Sequence, residues 1–471
     1  MLDFGFKPVW FTAIAALAAF AGCETVERAR MAQSEVKGRE TGDEPAAVVA
    51  QRLDASLEEM VAFAMTNRPS MKSAVLAVED ARLALKEIAA AAPLASSTPW
   101  NAVDANVSGG YSASSKQAHF EDLKTKTDGD WSATLSLDIL VYDFGRNDAN
   151  ARAQAEMVVA AELGCVQTGY AVFEEVAEAY FSRLQSAALL DVARTNVQMR
   201  AQHLERAEAR LAEGEAQRLD VTRAKLDLDE AIESMVSMSN EYTTSSANLA
   251  YALGLDAADW PNVLPSPGEM REKVFADTSA CSGELFAFAR TNAPSLMASR
   301  AKLRAASAAV DHAIADLRPN LSASLALNWT DPLWYWRWGV NGAQSLFTGF
   351  RKTTAVDRAR VSMISAAKTV DEAELALSLA IERAVAERDN AREALSAAQS
   401  SVRSAADNLE TVSGQLLVGD ASRIEHTDAV ASFVSAMANS RKALCRAQIA
   451  EAKLFALTGV EPRYGKAGEE L

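Results

Sequence analysis

The chain has 471 residues, of which 49 % are hydrophobic and 23 % charged, a balance that excludes wholesale disorder and leaves enough apolar material for a sizeable core. Its formal net charge of −16 argues against nucleic acid or an anionic membrane surface as a partner and toward proteins or cationic solutes. The cysteines Cys23, Cys165, Cys281 and Cys445 show no CxxC spacing, so neither a disulfide framework nor a thiolate metal site is written into the chain.

Residues 8–21 form a short apolar stretch preceded by Lys7. It is too short to span a bilayer and is shaped like the hydrophobic region of a secretory signal. It ends Phe20-Ala21-Gly22-Cys23, which resembles a bacterial lipobox, with Phe20 where Leu is usual. The expectation is a signal peptide over residues 1–22 and lipidation of Cys23, whose acyl chains would anchor the protein firmly on a membrane. Glu24 in place of Asp resembles outer-membrane sorting. Residues 23–55 are polar, with Gly38, Gly42 and Pro45, and read as a tether.

Helix begins at Ser56, an N-cap with Glu59 three residues later, and is expected to run through an Ala-rich stretch to about Ala92. Within it, Thr66-Asn67-Arg68-Pro69-Ser70 recurs as Thr291-Asn292-Ala293-Pro294-Ser295. After it, Val103, Ala105, Val107, Gly109 and Tyr111 alternate with polar residues, as do Trp131, Ala133, Leu135, Leu137 and Ile139. Further on, Leu321 to Trp329 and Trp334 to Val340 do the same. Period two predicts strands, about ten residues each, apolar on one face with aromatic ends, which suits tilted transmembrane strands. Two hairpins cannot close a barrel, so several chains would have to pool them. Trp131, Trp329, Trp334, Trp336 and Trp338 are the candidate membrane-interface aromatics.

Each hairpin precedes a long helical pattern. Val166, Tyr170, Phe173, Ala177, Tyr180 and Leu184 step by four and three, and Leu395, Ala398, Val402, Ala405, Leu409, Val412 and Leu416 repeat those steps. A 3.5-residue period is a coiled-coil seam, and roughly 65 residues make a helix about 100 Å long. The seam pauses at Arg210-Leu211-Ala212-Glu213-Gly214-Glu215-Ala216 and at Gln415-Leu416-Leu417-Val418-Gly419-Asp420-Ala421, then resumes. Gly214 and Gly419 stand 205 positions apart, and Arg218/Arg423, Thr222/Thr427 and Gly254/Gly459 keep that offset. The chain is therefore an internal duplication. Each copy is expected to hold a helical hairpin with its tip at Gly214-Glu215-Ala216 or Gly419-Asp420-Ala421, with Gly in a left-handed turn. The domains read as repeat 1 over 56–254, an equatorial linker over 255–282 lying outside the bundle, repeat 2 over 283–460 with its opening helix at about 283–317, and a tail over 461–471.

Val141-Tyr142-Asp143-Phe144-Gly145-Arg146 and Leu346-Phe347-Thr348-Gly349-Phe350-Arg351 join strands to long helices. With the tip phrases, the Thr-Asn-x-Pro-Ser repeats and the closing Leu253-Gly254 and Thr458-Gly459, they resemble the outer-membrane efflux (TolC) family over about residues 56–460. The second aromatic motif carries its Gly one place early, and Leu140 and Ser345 stand where the family often has Pro. The resemblance implies a mainly α protein with a β-barrel part. Duplicated coiled-coil hairpins would form a trimeric periplasmic tunnel, and four strands per chain would contribute to a twelve-stranded outer-membrane barrel. It further implies a homotrimer that docks through its tips on a periplasmic adaptor (membrane fusion) protein coupled to a proton-driven or ATP-driven inner-membrane pump. The product would be a passive exit duct for small molecules such as drugs or other toxic compounds. A type I protein secretion duct shares the layout, and a non-pore periplasmic scaffold shares the coiled coils but has no use for amphipathic hairpins. The lipobox leans toward the small-molecule branch.

No HExxH, Walker P-loop or GxSxG is present, the four histidines are scattered, and no cofactor, metal site or enzyme activity is expected. The remaining chemistry is electrostatic. Glu425 and Asp428 match the acidic constriction of the family's second repeat, and Asp220 matches the conspicuous acid of the first. Threefold symmetry would turn each into a ring that attracts cations. The alternative is a helix-face charge or an N-terminal dipole partner, and Asp420 can serve as a cap.

Overall fold

The computed structural model describes residues 56–92, 103–115, 127–214, 217–255, 264–266, 273–275, 282–330, 333–418 and 422–459. In chain order these form helices α1 (Leu57–Asn67) and α2 (Pro69–Ala90), strands β1 (Val103–Ser115) and β2 (Thr127–Tyr142), then helices α3 (Arg146–Ala212) and α4 (Arg218–Leu253). The second copy follows as α5 (Ser282–Asn292), α6 (Pro294–Ala315), β3 (Asn320–Thr330), β4 (Leu333–Ala343), α7 (Arg351–Val418) and α8 (Arg423–Thr458). The duplication read from the sequence is a duplication of architecture.

The opening helix of each copy is split where one helix was expected. Arg68 (φ −68°, ψ 131°) and Ala293 (φ −64°, ψ 120°) are extended, because the ring of a following proline excludes the helical region for the residue before it. Pro69 and Pro294 then start α2 and α6 at the one place in a helix where their missing N–H costs nothing.

Each long helix carries its partners end to end. Along α3, Asn147 donates to Ile88 O and Gln154 to Ala81 O, Arg68 of α2's start pairs with Glu175, Arg183 donates to Ser246 and Arg200 reaches Asp227. Thus α2 covers the first half of α3 and α4 the second, both antiparallel to it. Along α7, Lys352 meets Asp316 and Arg300 meets Glu374 on α6, after which Arg392 meets Glu451 on α8. At 1.5 Å per residue, α3 with 67 residues and α7 with 68 each run about 100 Å. The heptad steps agree with burial from Tyr170 on, while Val166, the first step expected, is exposed: Tyr170 is half-buried, Phe173, Ala177, Tyr180, Leu184 and Leu190 are buried, and Leu395, Ala398, Val402, Ala405, Leu409 and Val412 are half-buried.

The joint between the stacked helices holds the core. Leu57, Met60, Val176, Tyr180, Phe181, Leu249 and Leu253 are buried there together. The sequence reading set the equatorial linker outside the bundle; its described part enters it. Phe275 is fully buried, with ring centroids 6.0 Å from Phe173, 6.0 Å from Phe181 and 5.7 Å from Phe455. This segment carries two backbone N–H groups into that core, where Gln448 Oε1 accepts both Val274 N–H and Phe275 N–H at 2.8 Å. A second cluster around Leu285, Leu296, Ile381 and Leu454 serves the other copy.

The four strands form one antiparallel sheet in the order β1-β2-β3-β4. The two hairpins are joined by the pairing of β2 with β3, Leu135 opposite Leu327 and Leu137 opposite Leu325. β1 and β4 are its edges.

Candidate functional site: a two-faced sheet and two helical tips

Register decides what the sheet presents. Successive cross-strand rows read Trp334–Trp329–Ala133–Gly109, Trp336–Leu327–Leu135–Val107 and Trp338–Leu325–Leu137–Ala105. Because side chains alternate across a strand, these rows share one face. The intervening rows, Tyr335–Asn328–Thr134–Ser108 and Arg337–Ala326–Ser136–Asn106, share the other. Polar groups there bond to each other, Thr134 Oγ1 donating to Asn328 Oδ1 at 3.1 Å. On the apolar face Trp336 is 68 % exposed and Trp338 69 %. So large a patch of apolar surface marks contact with something other than water. Trp329, Trp334, Trp336 and Trp338 of the expected tryptophans lie on this face, the rings of Trp329 and Trp334 being 6.0 Å apart and tilted by 36°. Trp131 stands opposite Tyr111 in the register.

At the opposite end of the strands the two aromatic motifs make equivalent turns. Phe144 (φ 56°) and Gly145 (φ 84°) are both left-handed in the first copy, and Gly349 (φ 62°) and Phe350 (φ 62°) in the second. The exchanged order of Gly and Phe leaves the backbone path unchanged and moves the strained non-glycine residue by one place. Asp143, buried, accepts Gly145 N–H at 3.1 Å and Asn147 N–H at 2.6 Å and so starts α3. A register shift between Leu140 and Tyr142 puts Tyr142 opposite Leu321, on the apolar face, a re-aiming that bulges commonly perform. Its ring meets Phe144 edge-on at 4.7 Å, and Phe347 meets Phe350 the same way at 5.6 Å. Tyr142, Phe144, Leu346, Phe347 and Phe350 are all exposed. The sequence reading used these motifs to carry the family resemblance and noted the displaced Gly, but gave their phenylalanines no role.

At the far end of the coiled coils α3 stops at Gly214, which is left-handed at φ 81° and bonds back to Leu211 O at 3.1 Å. Glu215, Ala216, Gly419, Asp420 and Ala421, also expected at the tips, lie outside the described residues, as does Cys23 with the signal and tether. The three expected acids differ in their surroundings. Asp220 sits in a capping box with Gln217, whose N–H it accepts at 3.1 Å, and Glu425 sits in one with Ser422, accepting Ser422 N–H at 2.7 Å while Ser422 Oγ takes Glu425 N–H at 3.2 Å. Each carboxylate therefore has one oxygen committed to a helix start, where the dipole also favours it. Asp428, one turn on, is exposed and makes no hydrogen bond or ion pair among the described residues. No bond joins Asp220 to Glu425 or Asp428 among those residues.

Elsewhere, Glu174 on α3 has its carboxyl pushed above the ordinary range by burial, opposed by Lys453 and reinforced by Glu178 and Glu387. No cluster of metal-ligating side chains occurs among the described residues, and no described helix is long and apolar enough to cross a membrane.

A family model for the outer membrane efflux protein matches residues 63–255 and 286–460. Among the solved structures that share the fold are three outer-membrane proteins. VceC, an outer membrane protein of Vibrio cholerae, is 18 % identical with a TM-score of 0.71, covering 87 % of this chain and 97 % of its own. The CmeC outer membrane channel of Campylobacter jejuni is 14 % identical with a TM-score of 0.74 and 86 % of each chain covered. The open MtrE outer membrane channel of Neisseria gonorrhoeae is 18 % identical with a TM-score of 0.71, covering 89 % and 94 %. A sequence search of curated proteins finds no match.

Proposed function

We infer the function of this chain from its family: it belongs to the outer membrane efflux protein family, whose model matches both of its repeats. It is an outer-membrane efflux protein with a strand portion and a long helical portion. Its finer role, in our reading, is that of a passive exit duct in a tripartite exporter of small molecules, working as a homotrimer with a periplasmic adaptor and an inner-membrane pump. The observation that carries this reading is the two-faced sheet with unpaired edges. One chain exposes tryptophans on one face and hydroxyls, amides and Arg337 on the other, and the outer edges of β1 and β4 have no strand partner among the described residues. In lipid those edges need partners, and pooled four-stranded sheets supply them with a polar lumen inside. Exposed apolar stripes on α2 (Val75, Leu76, Leu83) and α7 (Val361, Ile364, Leu375, Leu379) support the same assembly along the helices.

The tips, about 100 Å of helix from the sheet, would carry the adaptor contact around Gly214, Glu215, Ala216, Gly419, Asp420 and Ala421, and the entrance. We assign the cation-attracting ring chiefly to Asp428, whose carboxylate is uncommitted, with the second oxygens of Asp220 and Glu425 adding to it. Cys23 would carry the lipid anchor on the periplasmic side of the outer membrane.

The test is the purified protein in detergent and in planar bilayers. A trimer that conducts ions with cation preference is expected, and that preference should fall in Asp428→Asn. A monomer that conducts nothing would end the duct reading. Cys23→Ser should lose metabolic labelling with palmitate.

A further inference from the structure

The foot of the sheet has features a plain exit duct does not require. Both copies place a phenylalanine in the left-handed region, Phe144 and Phe350, although a glycine stands beside each. A side chain is disfavoured there by contact of its Cβ with the following carbonyl, and such outliers cluster where strain serves a function. What the strain achieves is visible in exposure: Leu346 is 92 %, Phe347 76 % and Phe350 71 % exposed. Apolar side chains so held out of the fold are built to enter an apolar phase.

The cations around them sort into two pairs. Arg146 and Lys352 are both taken by Asp316, at 3.4 and 3.3 Å. Arg318 and Arg351 are exposed and have no carboxylate partner among the described residues. Arg318 is held at the turn by donating Nη1–H to Phe144 O at 3.3 Å, which leaves its other N–H groups pointing away from that bond. Arg351 directly follows Phe350. The net charge of −16 disfavours an anionic surface for the chain as a whole, but at the foot two unneutralised guanidinium groups beside an exposed aromatic cluster are locally complementary to a surface that is apolar and anionic at once.

The foot also stands where such a surface would be. Nine residues of β4 separate Trp334 from the strand's end at Ala343, just before the foot, about 30 Å of strand, or about 23 Å along the membrane normal at a 40° tilt. That is close to the apolar band, about 25 Å tall, of outer-membrane barrels, and the foot is continuous with the tryptophan face through Tyr142. We propose that the two strand-to-helix turns clamp anionic phospholipid of the inner leaflet: Phe144, Leu346, Phe347 and Phe350 take the acyl-chain boundary, and Arg318 and Arg351 take the headgroup phosphate. The proposal rests on the outer-membrane reading above.

The experiment uses the full-length protein carrying p-benzoylphenylalanine in place of Phe347, reconstituted in vesicles of phosphatidylethanolamine with phosphatidylglycerol and irradiated. A mass increase matching one phospholipid is expected. An adduct joining two copies of the chain would mean that a neighbouring copy covers the foot and would overturn the proposal, as would the absence of any adduct. In a parallel arm, native mass spectrometry should show phosphatidylglycerol retained by the unaltered protein and by the Arg318→Lys, Arg351→Lys variant. Retention should fall about tenfold in Arg318→Gln, Arg351→Gln, the equivalent of one lost charge-assisted contact, and unchanged retention would refute the arginine assignment. Ion conductance of the same samples reports on the duct separately, so failure of either reading can be told from failure of the other.

Discussion

A Cβ placed on Gly254 would stand 3.2 Å from the Cα of Arg68. Gly254 ends α4 in a left-handed turn (φ 74°), Arg68 is the break between α1 and α2, and the Asn67 side chain seals the meeting by donating to Gly254 O at 3.1 Å. The second copy repeats the joint: a Cβ on Gly459 would stand 3.2 Å from Asn292 O, and Tyr170 O–H bonds to Gly459 O at 3.1 Å. Two motifs that are about 190 and 170 residues apart in the sequence are thus two halves of one splice.

Gly254→Ala and Gly459→Ala should therefore both destabilise the fold. Left-handed strain of about 1–2 kcal/mol adds to overpacking of about 1–3 kcal/mol. Gly214→Ala meets nothing within 4 Å and should carry the strain alone. Thermal unfolding of the three variants should rank them in that order, and equal losses would remove the close approach as the cause.

Glu451 is only 2 % exposed and is paired with Arg392. Its repeat mate is Ser246, to which Arg183 donates at 3.0 Å, so a buried polar layer recurs with a different chemical basis in each hairpin. Arg392→Met leaves a buried carboxylate without its cation and should cost about 3–5 kcal/mol. Adding Glu451→Leu should recover most of that loss, a rescue that denaturant titration of single and double variants would reveal.

Gln448→Leu removes the acceptor of two buried N–H groups and should cost about 1–3 kcal/mol per stranded donor at most. Gln448→Glu keeps an acceptor oxygen and should cost less. Faster hydrogen exchange at Phe275 in the Leu variant, with the coiled-coil tips unchanged, would identify the linker as the part released.

Glu174 has a raised pKa in the folded protein, caused first by burial. A carboxyl that holds its proton more tightly when folded stabilises the fold at low pH, and that contribution is lost as pH rises through the folded value. Glu174→Gln should therefore be more stable than the unaltered protein at neutral pH. The difference should shrink below the ordinary carboxylate range near 4.5, and a gain independent of pH would exclude ionisation as the cause.

Ser422→Ala should weaken the start of α8 by about 1 kcal/mol without altering ion selectivity, whereas Asp428→Asn should alter selectivity without weakening the helix. Paired measurements of helix stability and reversal potential would separate capping from field, and identical profiles would merge them.

Much of this architecture was legible because it is local. The heptad steps from Phe173 to Leu190, the period-two runs around Leu135 and Leu325, and the caps at Ser56 and Gly254 each declare themselves within a few residues. The fixed offset between copies then doubles the signal. The breaks at Pro69 and Pro294 were equally local but were overridden by the long alanine-rich pattern around them. Three features were not legible. The insertion of Phe275 depends on Gln448, 173 residues away. The choice between the helix-start role that the sequence offered for Asp220 and Glu425 and a ring role was a second, because only neighbouring copies can create a ring. The exposure of the phenylalanines was a third, because a composition pattern carries no information on which side of a left-handed turn a ring emerges.

By itself the sequence determined the duplication, the lengths of helix and strand, the apolar and polar faces and the places where the chain turns, since these follow from backbone preference and side-chain period. Only the tertiary structure decided which ends meet: Gly254 on Arg68, Phe275 within the joint, Asp316 between the starts of both long helices. Such choices depend on close approach and on the pairing of buried donors between residues remote in the chain, and no local pattern encodes them.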